Sequence, residues 1–257
     1  MVGGFIIITE KNMSFKILKF DQVFQNLGVK LPRGLKNRIC KFLYLYQADN
    51  LVYEAKQQSL KIAEISGYAL KHINITYEFD PGQLQPYVGQ KNLVVCNHAT
   101  GFLEVFILID ILYKAGFNFK FLANDFIKII PEVEQLVIPI DVYSEDPHKR
   151  IQAVRTIMGT LNHNITLAAF PSGEVARFKW KKMKVAEHPW SKNLLDMARR
   201  SEANIIHLEL KASNSFLFYF CALLNPLLPT FLLFREYFNK KNHKYKVILK
   251  NIEHAKK

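Results

Sequence analysis

Cysteine is scarce in this chain. Only Cys40, Cys96 and Cys221 occur in 257 residues, widely separated and in apolar contexts, with no Cys-x-x-Cys pair and no Cys/His cluster. That pattern argues against a disulfide framework and against structural zinc, and leaves three packed thiols in a reduced, cytosolic setting. Acidic residues are also in short supply, with 22 Asp and Glu against 35 Lys and Arg, for a formal charge of +13. Such a surplus implies an acidic partner. Nucleic acid is one candidate, but no zinc finger or RNP-like aromatic strand is present, so no nucleic-acid partner is expected. An anionic membrane surface fits better, because basic and apolar segments alternate and each Lys or Arg near such a leaflet contributes on the order of 1 kcal/mol. The opening apolar stretch, Gly3 to Thr9, is too short to span a bilayer and lacks a small-residue cleavage site. It is not read as a signal peptide. Internal repeats and low-complexity linkers are missing as well.

What the chain does have is apolar bulk. Hydrophobic residues make up 49%, including 20 Phe and 11 Tyr, enough for a good core in one domain. Ile73 to Phe79 alternates like a strand, closed by Asp80-Pro81-Gly82. Further strands are expected near 92–96, 119–122, 136–142, 165–170, 204–210 and 245–250, and helices near 103–115, 147–161 and 191–201. This alternation predicts an α/β sheet covered by helices, with its motif loops near one edge. Residues 1–70 read as an N-terminal helical extension, and 71–257 as the main domain. Within the extension, 35–51 has helical spacing and a basic edge, which suits either a membrane-surface element or a helix packed on the domain. A further helix is expected from 50 to 70.

Phe216 to Phe234 is almost wholly apolar and 19 residues long, enough for one span. Asn225, Pro226 and Pro229 interrupt it, so a bent element is expected, lining a site, dipping into one leaflet or buried in the domain.

The most informative stretch is Asn97-His98-Ala99-Thr100-Gly101-Phe102-Leu103-Glu104, between the apolar runs Leu93–Cys96 and Val105–Leu112. A strand gives way to a helix here, with a histidine and a carboxylate six positions apart. If Gly101 lets the backbone fold back, Glu104 can hydrogen-bond one imidazole nitrogen and leave the other free to take a proton. The alternative is a capped helix start, with His98 packed and Glu104 favouring the helix dipole. A second stretch, Ile165 to Phe170, reads as a buried strand broken by the tight turn Pro171-Ser172-Gly173-Glu174. Ligands of open α/β folds bind at such strand ends. Arg177, Lys179, Lys181, Lys182 and Lys184 follow, either as part of a site or as a solvated basic loop.

Together these stretches resemble the glycerolipid acyltransferase superfamily, which includes the 1-acyl-glycerol-3-phosphate acyltransferases. The hemolysin-like lysophospholipid acyltransferase branch is the closer match, with Asn-His-Pro-x-Gly-Gly-Leu-Asp and Phe-Pro-Ala-Gly-Glu-Val-Ser. Asn97, His98, Gly101 and Leu103 match the first pattern, with Glu104 for the aspartate and Ala99 for the proline. Phe170, Pro171, Gly173, Glu174 and Val175 match the second, with Ser172 for alanine and Ala176 for serine. Phe121 to Asp125, Ile138 to Asp141, Trp190, Met197 to Arg200, Ile205-Ile206, Asn214-Ser215 and Arg235-Glu236 are similar to later landmarks. His207 stands where proline is usual and receives no role.

The resemblance implies a mixed, mostly parallel sheet and acyl transfer from an acyl-CoA or acyl carrier protein thioester to the hydroxyl of a lysophospholipid or lyso-amino-acid lipid. His98 would be the general base and Glu104 its orienting carboxylate. Asn97, Gly101, Phe170, Pro171, Ser172, Gly173, Glu174 and Arg177 would shape the substrate site. No cofactor, metal or covalent nucleophile is required. Location would be peripheral or monotopic, on the cytoplasmic face of a membrane. Because Glu104 is one methylene longer than the usual acid, aspartate at this position is expected to serve the hydrogen bond at least as well. The alternative is a degenerate homologue that binds lipid without turning it over.

Overall fold

A computed structural model describes residues 15–18, 20, 32–123, 135–140, 146–225 and 228–255. Strands β1 (Thr76–Glu78), β2 (Asn92–Cys96), β3 (Phe119–Ala123), β4 (Val137–Pro139), β5 (Thr166–Ala169), β8 (Asn204–Lys211) and β9 (Lys244–Glu253) form one sheet in the order β1-β9-β8-β2-β5-β3-β4. Only β8 and β9 run antiparallel to each other. The remaining neighbours are parallel. The fold is thus an α/β arrangement with a mixed, mostly parallel sheet, as expected. Strand β2 shows why: Asn92 to Cys96 is buried on both faces, as a central parallel strand must be when helices cover both sides.

The two faces carry separate cores. Val94 and Cys96 point to the larger one, which includes Ile107, Leu108 and Ile111 of α4 (Leu103–Ala115). Leu93 and Val95 point to the smaller, closed by Ile157 and Leu161 of α5 (Pro147–Asn162) and Leu194 and Ala198 of α6 (Lys192–Arg200). Gly116, in the left-handed region at φ 85°, ends α4 where a side chain would be strained.

The N-terminal helices break more often than periodicity suggests. The segment expected to run unbroken from 35 to 51 divides at Tyr44, whose φ is 60°, into α1 (Arg33–Phe42) and α2 (Leu45–Gln57). A second break, with Ser59 at φ 55°, precedes α3 (Ile62–His72). Leu45, Leu51 and Val52 of α2 share the larger core with Phe234 and Tyr237 of α8 (Leu228–Phe238). Buried Asp49 accepts the backbone N–H groups of Lys16, Ile17 and Leu18 at 2.6, 2.9 and 2.6 Å.

The apolar run near the C-terminus forms two short helices, α7 (Phe216–Leu224) and α8, with Asn225 extended at the end of the first. Among the described residues no helix is long and apolar enough to cross a membrane. The lysine-rich stretch is not a plain loop but an antiparallel hairpin of β6 (Arg177–Lys179) and β7 (Lys184–Ala186). Gly3 to Thr9, Asn124, Asp125, Asp141 and Pro226, all singled out in the sequence, lie outside the described residues.

Candidate active site

Parallel pairing of β2 with β5 sets Val95 opposite Ala169, so the loops that follow leave the sheet side by side. His98 thereby meets Phe170 with ring centroids 4.5 Å apart and planes inclined by 14°. The backbone N–H of Ala176 donates to the His98 carbonyl at 2.8 Å, clamping the second motif onto the first.

Glu104 sits in the first turn of α4, almost wholly buried. Its Oε1 lies 2.8 Å from His98 Nδ1 and accepts the N–H groups of Thr100 and Gly101 at 2.8 and 2.7 Å. The Thr100 hydroxyl donates to Oε2. Gly101 makes this turn possible: its φ is 106°, and a Cβ there would collide with the Leu233 side chain. Burial pushes the Glu104 pKa up, but the hydrogen bond and charge of His98, with the Thr100 and Gly101 donors, outweigh it and hold the group at about 2. An ionised carboxylate only accepts hydrogen bonds, so Nδ1 carries a proton, and in the neutral imidazole the lone pair is on Nε2. The histidine side chain is 17% exposed, and among the described residues nothing is bonded to Nε2. Glu104 thus both receives the N–H groups of the helix start and holds the imidazole by Nδ1.

Two expected outcomes follow from this geometry. Glu104 reaches back over its own first turn to four donors, so shortening it by one methylene withdraws the carboxylate from the loop. Glu104→Asp should therefore lower kcat/KM, by about tenfold if one or two hydrogen bonds are lost, in contrast to the expectation from sequence. Steady-state kinetics on Glu104→Asp and Glu104→Ala, the latter falling further, check this. The second outcome concerns acid stability. Between pH about 2 and the ordinary value of 4.5, the unfolded chain binds a proton at this position that the folded chain does not. The contribution of Glu104 is thus complete above that window and is lost as pH falls through it, on the order of 3 kcal/mol in all. Urea unfolding across the window should show a steeper acid loss for wild type than for Glu104→Gln.

The other residues anticipated from sequence are divided. Asn97 is committed to the sheet: its amide donates to the Leu210 carbonyl at 3.0 Å and accepts the Leu210 N–H at 2.7 Å. Pro171 is buried and its carbonyl accepts the Ser191 N–H at 2.9 Å. Gly173, at φ 69°, closes the tight turn by donating to the Phe170 carbonyl at 2.9 Å. Glu174 faces Arg177 at 3.4 Å and His188 at 3.3 Å, so its carboxylate is engaged by neighbours of the second motif. Ser172 turns inward, its hydroxyl 3.3 Å from Glu187.

Glu187 and a group around Lys240 were not anticipated. Glu187 also accepts the His98 N–H, and Trp190 Nε1 at 3.1 Å, so one carboxylate ties both motifs together. Its signal was a lone acid closing a run of cations. Behind the dyad, the buried Lys240 ammonium donates to Asn214 Oδ1 at 2.8 Å, and Asn214 Nδ2 donates to the Thr100 carbonyl at 3.0 Å. Glu236 lies 3.6 Å from the same ammonium and accepts the Ser215 N–H and hydroxyl at 2.7 and 2.6 Å. Burial pushes the Lys240 pKa down, and the Glu236 and Glu104 carboxylates oppose that shift. Asn214, Ser215 and Glu236, noted in separate stretches of the sequence, thus meet in one network next to the dyad, whereas Arg235 turns away to the Phe42 carbonyl.

No protein-family model matches the chain, and no curated protein sequence is significantly similar to it. Among solved structures, the crystal structure of the 1-acyl-sn-glycerophosphate (LPA) acyltransferase PlsC from Thermotoga maritima is similar, with a TM-score of 0.45 and 14% identity, covering 87% of this chain and 88% of that one.

Proposed function

We propose that this protein is an acyltransferase that moves a fatty acyl group from a thioester to the hydroxyl of a lysolipid at a membrane surface. The observation that carries this reading is the His98–Glu104 hydrogen bond, which engages Nδ1 and leaves the other ring nitrogen, Nε2, to act on a substrate. His98 Nε2 takes the hydroxyl proton while the oxygen attacks the thioester carbonyl. The tetrahedral intermediate then expels the sulfur, which receives that proton from the imidazolium. Glu104 stabilises the imidazolium between these steps. Atoms balance without a covalent acyl-enzyme or a cofactor. The donor is acyl-CoA or acyl carrier protein, and Arg177 and neighbouring lysines supply positive charge for its phosphates or for those of the acceptor. The acceptor is a lysophospholipid or a lyso-amino-acid lipid, met by a protein held peripherally on an anionic, cytoplasmic leaflet.

The test is mass spectrometry of lipids formed when purified protein is given an acyl thioester and a panel of lysolipids. An acylated product from one acceptor class supports the proposal and names the substrate. Saturable binding of donor with no product from any acceptor would assign the protein to non-catalytic lipid binding instead.

A further inference from the structure

Two neighbouring surfaces present apolar side chains that the described fold leaves uncovered. Helix α7 contains no charged residue, yet within it Phe218 alone is buried. Phe216 is 82% exposed and Leu224 65%, with Phe220 and Leu223 exposed between them. Positions 216, 220, 223 and 224 share one face of the helix, so the exposure is a continuous stripe. Strand β6 packs beside α7. The turn that follows it projects Trp180, 64% exposed, and Met183, 70% exposed. Lys181, Lys182 and Lys184 interleave with them, all exposed. No ion pair to an acidic residue involves these three lysines among the described residues.

Soluble monomers rarely leave such a patch in water. By contrast, the apolar face of α2 lies in the core. Lysines alternating with Trp180 and Met183 within one turn require a partner that is anionic and apolar within a few ångströms. A leaflet of anionic lipids has that layering: headgroups take the ammonium groups, the interface takes tryptophan, and acyl chains take the phenyl and leucyl groups.

We propose that α7 and the β6–β7 turn form the face by which this protein docks on an anionic bilayer, with Phe216, Phe220 and Leu224 entering the leaflet. Asn214, just ahead of the α7 cap, holds the Thr100 carbonyl, so docking brings the dyad loop to the headgroup layer. The proposal concerns binding and stands whether or not acyl transfer occurs.

Flotation of purified full-length protein with phosphatidylcholine vesicles, and with phosphatidylcholine–phosphatidylserine vesicles, tests it. Wild type should float with the anionic vesicles and lose that binding in high salt. Phe216→Ser/Leu224→Ser and, separately, Trp180→Ser/Met183→Ser should each lower partitioning by roughly tenfold or more. Lys181→Glu/Lys182→Glu should remove the preference for phosphatidylserine. The altered side chains are exposed, so circular dichroism and melting should match wild type, and two independent apolar variants guard against one that misfolds. Wild type that stays with the pellet, or folded apolar variants that float as wild type does, would overturn the proposal. So would a wild-type dimer, seen by sedimentation, that these substitutions dissociate without changing vesicle binding, since the stripe would then serve a second copy.

Discussion

Replacing His98 by alanine should lower kcat for acyl transfer by roughly 10²- to 10⁴-fold, the range that a positioned general base supplies. The KM for the donor should change little, because the imidazole acts on the acceptor hydroxyl only as the bond forms. The fold should survive. Glu104 keeps three of its four donors, the Thr100 and Gly101 N–H groups and the Thr100 hydroxyl, so it is not left as a bare buried charge. Loss of one charge-assisted hydrogen bond lowers stability by about 1–3 kcal/mol. A melting curve beside the kinetics separates the two effects: a well-folded, fully active alanine variant is the outcome the mechanism forbids.

The largest expected effect on stability lies at Lys240. Lys240→Met removes the cation beside the buried carboxylate of Glu236, and leaves Asn214 Oδ1 without its donor. Breaking a buried pair by removing one partner costs about 3–5 kcal/mol, a large share of the roughly 5–15 kcal/mol that holds a domain folded. Lys182→Met, on the exposed hairpin turn, should change stability by no more than about 0.5 kcal/mol. The double change Lys240→Met/Glu236→Gln should recover part of the loss, since no unpaired charge remains. Denaturant unfolding of the variants measures all three. A role in positioning goes further than stability: Asn214 holds the Thr100 carbonyl, and Thr100 holds Glu104. Lys240→Met protein that remains folded at low temperature should therefore also show lower kcat at unchanged donor KM, which a purely structural lysine would not cause.

How legible these features were in the sequence depends on their range. Strands β2 and β5 are short apolar runs ending in glycine- or proline-containing turns, and α4 has a carboxylate in its first turn and glycine after its last. Their patterns are local, and they were readable. So was the dyad, because both of its side chains lie within one strand-to-helix turn and Gly101 between them has no side chain to obstruct it. The breaks at Tyr44 and Ser59 were not readable, since neither residue type marks a left-handed conformation. The β6–β7 hairpin was hidden by its lysines, which read as a solvated loop. Glu187 and Lys240 escaped for a further reason. A polar side chain that serves groups inside the fold has no periodic signature, and each acts on a residue distant in the chain. Lys240 looks in sequence like any other charge after an apolar helix, and only its surroundings set it apart.

The most direct test of the central claim follows both products of the transfer together, free thiol from the acyl donor and acylated lipid from the acceptor. With wild-type protein the two should appear in equal amounts, only when both substrates are present, and neither should form at a comparable rate with folded His98→Ala. Thiol release that continues in the alanine variant at the wild-type rate, with acylated lipid still forming, would contradict the account.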